Sequence, residues 1–420
     1  MPKFLFLQGV ASPFFSRLAD WLIAKGCEVF RINFCVGDAI YWRGKPAWNF
    51  RQRVESLPAF MQEHCRRNGI TDLVLFGDRR PVHRAAIGTA QAGGLRVHAF
   101  EEGYVRPNWI TLERGGVNAA ITLPRDAAWY LAADAALPES IEGRLLPPAI
   151  GPRAAHDMAY HAVNVFNPLA FPGYRTHRPH PAAMEYAGWG WRYSHYPMWH
   201  RRDAALMREL AEAGKPYFLF PLQLNGDAQV THRSEFRDMR EAIECVVKSF
   251  AAHAPEGTRL LIKNHPLDTG LMNYSATIRR LESELGLGQR ILYVETGHLP
   301  TILEHALGVV TVNSTVGLSA LHHLRPTKAL GEAVFDLPGL TCQCPLDEFW
   351  RRLVPPDPDL YRAFRNVLIY GTQINGDFYS ASGIAAAVAG CKRLLEPQSR
   401  LEQLLEKVAV PKACAPRPLS

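Results

Sequence analysis

Long apolar runs are absent from this sequence. No stretch of the 420 residues approaches the roughly 20 consecutive apolar positions that a membrane-spanning helix needs, and mean hydropathy is −0.12. The opening MPKFLFLQGVASPFF has one Lys and a short apolar stretch, with neither a long hydrophobic segment nor a small-residue cleavage site. No secretory signal is therefore expected. Neither G-x-G-x-x-G nor a GKS/GKT phosphate loop occurs, which counts against an ordinary nicotinamide enzyme and a P-loop kinase. Of the eight Cys, only Cys342 and Cys344 are close-spaced, and no second pair completes a zinc site. Without a signal peptide, reduced cytosolic thiols are expected. No His-x3-His lies on a helix with a carboxylate, and Asp38 after Gly37 has no acidic neighbour for a divalent ion. Chemistry without a bound metal or other cofactor is predicted. Internal repeats and low-complexity segments are also missing.

What is present describes a globular protein. Apolar residues make up 47% and charged residues 21%, and the length corresponds to two or three domains. Lys and Arg number 47 against 40 Asp and Glu, a net +7, with an isoelectric point near 9.0. Such a balance favours nucleic acid, anionic lipid or phosphorylated small molecules. No RNA-binding signature or Lys/Arg stripe accompanies it, so nucleic acid is not expected.

The first hundred residues alternate strand and helix. Apolar runs at Lys3–Val10, Cys27–Phe34, Asp72–Phe76 and Arg96–Phe100 predict strands, and helical spacing predicts helices over Ser12–Lys25, Phe50–Asn68 and Pro81–Ala92. The same grammar restarts near residue 215. Strands are predicted at Tyr217–Phe220, Arg259–Lys263, Ile291–Val294 and Val309–Val312, and helices at Phe236–Ala252, Tyr274–Leu285, Leu299–Ala306 and Thr315–His322. This pattern predicts an α/β protein of two Rossmann-like domains, each with a parallel sheet, facing across a cleft. The expected division is 1–150, an aromatic and basic segment 151–205, 206–345, and C-terminal helices over 346–420 that return toward the first domain. Phe171–Arg202 holds five Arg, one Glu and eight aromatics. Trp189, Trp191, Trp199 and the nearby Arg192, Arg201 and Arg202 are the expected contacts to an anionic membrane surface, an interdomain core being the other reading.

In open α/β sheets ligands bind beyond the carboxyl ends of the strands, so candidates are sought there. Gln8-Gly9 follows the first strand. Glu101-Glu102-Gly103-Tyr104-Val105-Arg106 follows the fourth. A carboxylate held there suits a general base or nucleophile, and Arg106 suits an anionic substrate. Because strand side chains alternate faces, at most one of Glu101 and Glu102 points into a cleft while strand geometry lasts. Glu102, beside Gly103, is the slightly favoured of the two. Lys263-Asn264-His265-Pro266 ends another strand, and its His can donate to a departing phosphate. Asn313-Ser314-Thr315 enters a helix, where a hydroxyl is first an N-cap and where phosphate is also favoured. Glu295 and Glu332 are weaker candidates for a ribose or base.

The strings QGVASPFF…RINFCVGDAIYW, FEEGYVRPNWITLE, PLQLNGD, KNHP and NST, in that order over roughly residues 4–335, resemble the bacterial capsule polysaccharide biosynthesis and export family, in its KpsS/LipB-type group. The resemblance implies a GT-B-like fold and a β-Kdo glycosyltransferase that uses CMP-Kdo and a lysophosphatidylglycerol acceptor. It also implies a site peripheral to the inner face of the cytoplasmic membrane, beside other capsule assembly proteins. It carries a catalytic carboxylate to Glu101 or Glu102, CMP binding to His265, Pro266, Ser314 and Thr315, and an active-site contact to Gln223. Two other readings stay open: a UDP-sugar transferase or epimerase on the same architecture, and a non-catalytic assembly or export adaptor.

Overall fold

The computed structural model describes residues 1–408 apart from 118–121, 139–142, 177, 179, 213, 225–229, 231 and 232. Asn225, Gly226 and Asp227 of the PLQLNGD string thus lie outside the described residues. Twelve strands are described: β1 Lys3–Phe6, β2 Glu28–Asn33, β3 Ala47–Asn49, β4 Asp72–Phe76, β5 Arg96–Glu102, β6 Trp109–Arg114, β7 Tyr217–Pro221, β8 Arg259–Lys263, β9 Ile291–Val294, β10 Gly308–Thr311, β11 Thr327–Ala329 and β12 Gln373–Asn375.

The chain forms two compact units that interleave in sequence. One comprises Met1–Thr122, Ala136–His177 and Asn366–Ala409, and the other includes Leu123–Ala135 and Arg178–Arg365. These units differ from the linear division expected from sequence. The aromatic and basic segment is shared between them, and the C-terminal stretch from Asn366 is part of the first through its last described residue.

The first unit holds a seven-stranded sheet in the order β12-β6-β5-β4-β1-β2-β3. In β1 alternate residues feed two cores. Phe4 and Phe6 pack with Phe14, Phe15 and Leu18 of helix Phe14–Ala24, while Leu5 and Leu7 pack with Leu57 and Met61 of helix Leu57–Asn68. A strand buried on both faces reads as a continuous apolar run, which is why KFLFL carries no alternation. The expected wholly parallel sheet is corrected here. β3-β2-β1-β4-β5 are parallel, but β6 is antiparallel to β5 and β12 to β6. The link from Glu102 to Trp109 is far too short for the crossover that a parallel neighbour needs, so the chain turns back as a hairpin.

The second unit holds a wholly parallel five-stranded sheet, ordered β11-β10-β7-β8-β9. Phe218, Phe220 and Ile262 pack on Val246 and Phe250 of helix Met239–His253, and Tyr217, Leu219 and Leu261 face the other way. Read outward from its first strand, this order matches that of the five parallel strands of the first unit. Both are the doubly wound arrangement with a switch point beside the first strand. Helix Ala182–Glu212, 31 residues long with Pro197 inside it, occupies the stretch whose Pro, His and aromatic content concealed a helix. A second correction concerns the thiols: Cys342 and Cys344 form a disulfide, their Cα atoms 5.5 Å apart, within the span that bridge geometry requires.

Candidate functional site

The carboxyl edge of the first sheet is built around β5. This strand runs two residues further than its apolar run indicates, so Glu101 and Glu102 lie within it, paired to Thr111 and Ile110 of β6. Their side chains therefore point to opposite faces. The Glu102 carboxylate receives Arg153 Nη1 at 3.1 Å and the Tyr379 hydroxyl at 3.2 Å, and the Arg153 guanidinium stacks on the Tyr379 ring at 4.9 Å. Burial, followed by the Glu102 charge, pushes the Tyr379 phenol up, so it acts as a donor at neutral pH. Glu101 turns toward the end of β4. Its Oε1 accepts the Glu102 amide at 3.1 Å, and its Oε2 lies 3.2 Å from where a Cβ on Gly77 would stand. Gly103 admits no side chain, since a Cβ there would overlap the Trp109 carbonyl across the hairpin. Arg106 is exposed and donates Nε to the Gly103 carbonyl at 3.3 Å.

At the switch point between β1 and β4, Gln8 and Gly9 are engaged by the protein itself. Gln8 is buried. Its amide nitrogen donates to the hydroxyls of Tyr160 and Tyr174, both at 3.2 Å, and its carbonyl accepts from Arg80 at 3.2 Å. Arg80 also bonds the Gly9 carbonyl, and a Cβ on Gly9 would press on the Phe15 ring. Beneath them Asp38, which has no acidic neighbour in sequence, pairs with buried Arg31 at 2.8 Å and accepts the Tyr160 hydroxyl at 3.0 Å and the Phe34 amide at 3.1 Å. Sequence reasoning missed Arg31, Arg80, Tyr160 and Tyr174 as partners of this crevice. Three of them are contributed by distant segments and give no local signal.

In the second unit Gln223, His265 and Asn313–Thr315 all stand at the carboxyl edge of one sheet. Gln223 after β7 and Asn313 after β10 brace the switch point by a reciprocal pair of hydrogen bonds, 2.9 and 3.1 Å. Ser314 accepts the Val316 amide at 3.2 Å at the entrance to helix Val316–His322, whose N-cap Thr315 makes no side-chain cap. His265 after β8 is half-buried. Its Nδ1 accepts the Leu267 amide at 3.1 Å, which fixes the ring proton on Nε2. Pro266 is exposed. Lys263 is buried, donates to the Asn264 carbonyl, and is held below the ordinary lysine range by burial and by Arg192.

The loop carrying His265 is tied down by helix Ala182–Glu212. Gly188 lets that helix approach the Thr269 carbonyl where a Cβ would overlap it. One turn on, Arg192 donates to the carbonyls of His265 at 3.1 Å and Asp268 at 2.6 Å and pairs with Glu295 at 2.9 Å. Glu295 also receives Asn264 and Tyr293. Asp203, fully buried, accepts the amides of Glu295 and Thr296. The expected lipid contacts are thus partly corrected. Arg192 and Trp199 are used inside the unit and Trp189 donates to the Leu267 carbonyl, whereas Trp191 is half exposed. Glu295 is absorbed by this network, and Glu332 is exposed. Among the described residues, no cluster of three or more His, Cys, Asp or Glu is arranged for a metal ion, and no helix is long and apolar enough to cross a membrane.

Comparison with known proteins gives consistent family matches. The capsule polysaccharide biosynthesis protein model matches residues 71–379. The Escherichia coli capsule polysaccharide export protein KpsS is 38% identical over 90% of this chain and 97% of its own length. The capsule polysaccharide modification protein LipB of Neisseria meningitidis serogroup B is 39% identical over 90% and 91%. Among solved structures, the Thermosulfurimonas dismutans KpsC beta Kdo 2,7 transferase aligns over 94% of this chain and 100% of its own, at 13% identity and a TM-score of 0.44. On the sequence matches, the chain belongs to the capsule polysaccharide biosynthesis protein family.

Proposed function

We propose that the protein is a glycosyltransferase that moves Kdo from CMP-Kdo to a lysophosphatidylglycerol-type lipid, working at the inner face of the cytoplasmic membrane with other capsule assembly proteins. The observation that carries the assignment of halves is the difference between the two switch points. In the first unit, buried Gln8 and Asp38 and half-buried Arg80 fill the crevice with the protein's own hydrogen bonds. In the second, half-buried His265, Asn313, Ser314 and Thr315 stand at the equivalent edge. The nucleotide is accordingly assigned to the second unit and the acceptor to the β5 edge of the first.

In this reading the His265 Nε2–H donates a hydrogen bond to a phosphate oxygen of CMP and stabilises the charge that develops there as the bond from phosphate oxygen to the anomeric carbon breaks. Ser314, Thr315 and the adjacent backbone amides, with Lys263 nearby, hold the phosphate. The acceptor hydroxyl forms the new bond to the anomeric carbon and gives its proton to Glu101 or Glu102, while CMP leaves with the bonding electron pair. Arg106 serves an anionic group of sugar or lipid. Gln223 and Asn313 keep the nucleotide edge rigid. The test is mass spectrometry of the acceptor lipid after incubation with purified protein and CMP-Kdo. A gain of one or more Kdo masses supports the proposal. An unchanged lipid with CMP-Kdo intact would favour the export-adaptor reading that the name of the E. coli relative suggests, and consumption of a UDP-sugar would favour the other enzyme class.

A further inference from the structure

Helix Ile150–Val163 is inside out. Its polar side chains face the first unit: Arg153 reaches Glu102, His156 meets the Tyr41 hydroxyl at 2.9 Å, and Tyr160 meets Asp38. The pattern continues into the following turn, where Asn164 and Asn167 accept the amides of Gly37 and Val36 at 2.8 and 2.9 Å. Outward, every exposed position from Gly151 to Leu169 is glycine, proline, alanine or a larger apolar residue, and none is charged. Met158, Val165, Phe166 and Leu169 are 55%, 69%, 60% and 87% exposed. The usual polarity of a surface helix is reversed, and a contiguous exposed apolar face of this kind marks a binding surface.

We infer that this face docks on an anionic lipid bilayer, inserting Phe166 and Leu169 at headgroup depth. The inference deepens the proposed action on a membrane acceptor and places the contact on a different segment from the Trp-rich one. Charge selects the occupant. Arg175 is exposed just after the apolar turn, and exposed Arg51 and Arg53 adjoin it where the Gly173 amide meets the Arg51 carbonyl. A second copy of the chain, meeting this face by two-fold symmetry, would oppose one basic patch to an identical basic patch. Anionic headgroups complement them, each basic residue near the surface adding attraction. A lipid surface also suits an apolar strip flanked by arginines whose aliphatic stems can lie along it.

The experiment is co-sedimentation of the full chain with phosphatidylcholine vesicles containing phosphatidylglycerol, without donor sugar, so that its outcome does not depend on catalysis. Wild-type protein should sediment, less as salt rises. Phe166→Ser with Leu169→Ser should lower the partition coefficient about tenfold or more, because the removed side chains supply the buried apolar area. Both positions are mostly exposed, so the core is untouched, and circular dichroism should match wild type. Trp191→Ser with Tyr196→Ser should bind as wild type. Equal binding by the Phe166/Leu169 variant would overturn the inference. So would light scattering that shows a wild-type dimer converted to monomer by Leu169→Ser.

Discussion

Replacing Arg192 with Ala separates two roles that the sequence leaves confounded, lipid contact and loop support. Its side chain is 11% exposed and makes two charged hydrogen bonds to carbonyls at 2.6 and 3.1 Å plus an ion pair at 2.9 Å to Glu295, itself 14% exposed. Removing one partner of a largely buried ion pair costs about 3–5 kcal/mol. Asn264 and Tyr293 still donate to Glu295 in the variant, and Trp189 still reaches the Leu267 carbonyl, so the low end applies. The expected loss is about 3 kcal/mol in the free energy of opening the 264–270 loop, roughly a hundredfold in amide protection. Native-state hydrogen exchange read by mass spectrometry on peptides spanning β8 and that loop measures it without assuming that the whole chain unfolds in one step. Arg192→Lys can reach the carboxylate or a carbonyl but not both in the same fork, and should recover about half. Unchanged protection in Arg192→Ala, accompanied by weaker vesicle binding, would refute this reasoning and return the residue to the membrane.

Other expectations follow from the same geometry. Replacing the carboxylate proposed as the base, Glu101→Gln or Glu102→Gln, should lower turnover by about 10²–10⁴-fold with CMP affinity nearly unchanged, measured by product formation and calorimetry; full activity in both variants would remove the carboxylate mechanism. His265→Ala should weaken CMP binding and turnover together, because in the proposed mechanism the ring meets the phosphate in ground and transition states; unchanged activity would remove the phosphate assignment. Fully buried His83 is held down to about 3, mainly by burial and then by Arg80, so between that value and its ordinary 6.5 the unfolded chain binds the extra proton. Stability should therefore fall as pH falls, by about 2 kcal/mol from pH 6.5 to 5 for this group, and His83→Asn should flatten that limb in urea titrations. Gly103→Ala should open the β5–β6 hairpin against the Trp109 carbonyl and lower the melting temperature by several degrees, about 1–3 kcal/mol.

The parts of the fold legible in sequence are those fixed by local chemistry. Asp72–Phe76, Arg259–Lys263 and Ile291–Val294 are bounded as their apolar runs indicate, and helix Pro81–Ala92 begins at its proline and ends before Gly93. What stays hidden is fixed by partners far along the chain. β12 is three residues, Gln373–Asn375, and is a strand because β6 supplies its hydrogen bonds. Glu102 reads as a free acid until Arg153 and Tyr379 arrive from some 50 and 280 residues away. Helix Ala182–Glu212 contains Gly188, Gly190 and Pro197, and aromatics on several sides, so no 3.6-residue apolar stripe announces it. The spacing of Gly188 and Arg192 is the trace that could have been read, a close-approach glycine and a cation one turn apart on a single face.

The matching strand orders of the two sheets show why topology alone does not place a ligand. A doubly wound sheet offers a crevice at its switch point, but the crevice takes a guest only where the protein's own groups leave donors for it. In the first unit the Gln8 amide spends both nitrogen protons and its carbonyl on Tyr160, Tyr174 and Arg80, and Asp38 is saturated by Arg31, Tyr160 and the Phe34 amide. A phosphate there would have to break a buried ion pair, which disfavours it by several kcal/mol before any contact is made. Farther along the same sheet, at β5, the antiparallel hairpin presents Glu101 and Glu102 on opposite faces, the edge to which the proposed mechanism assigns the acceptor. In the second unit the brace between Gln223 and Asn313 is neutral, with Asn313 also donating to the Arg233 carbonyl. His265 keeps its proton on Nε2 because Nδ1 is an acceptor for Leu267. One fold used twice thus offers two chemically unlike crevices: the first is saturated by its own side chains, and the edge with a protonated imidazole nitrogen is the one suited to a leaving phosphate.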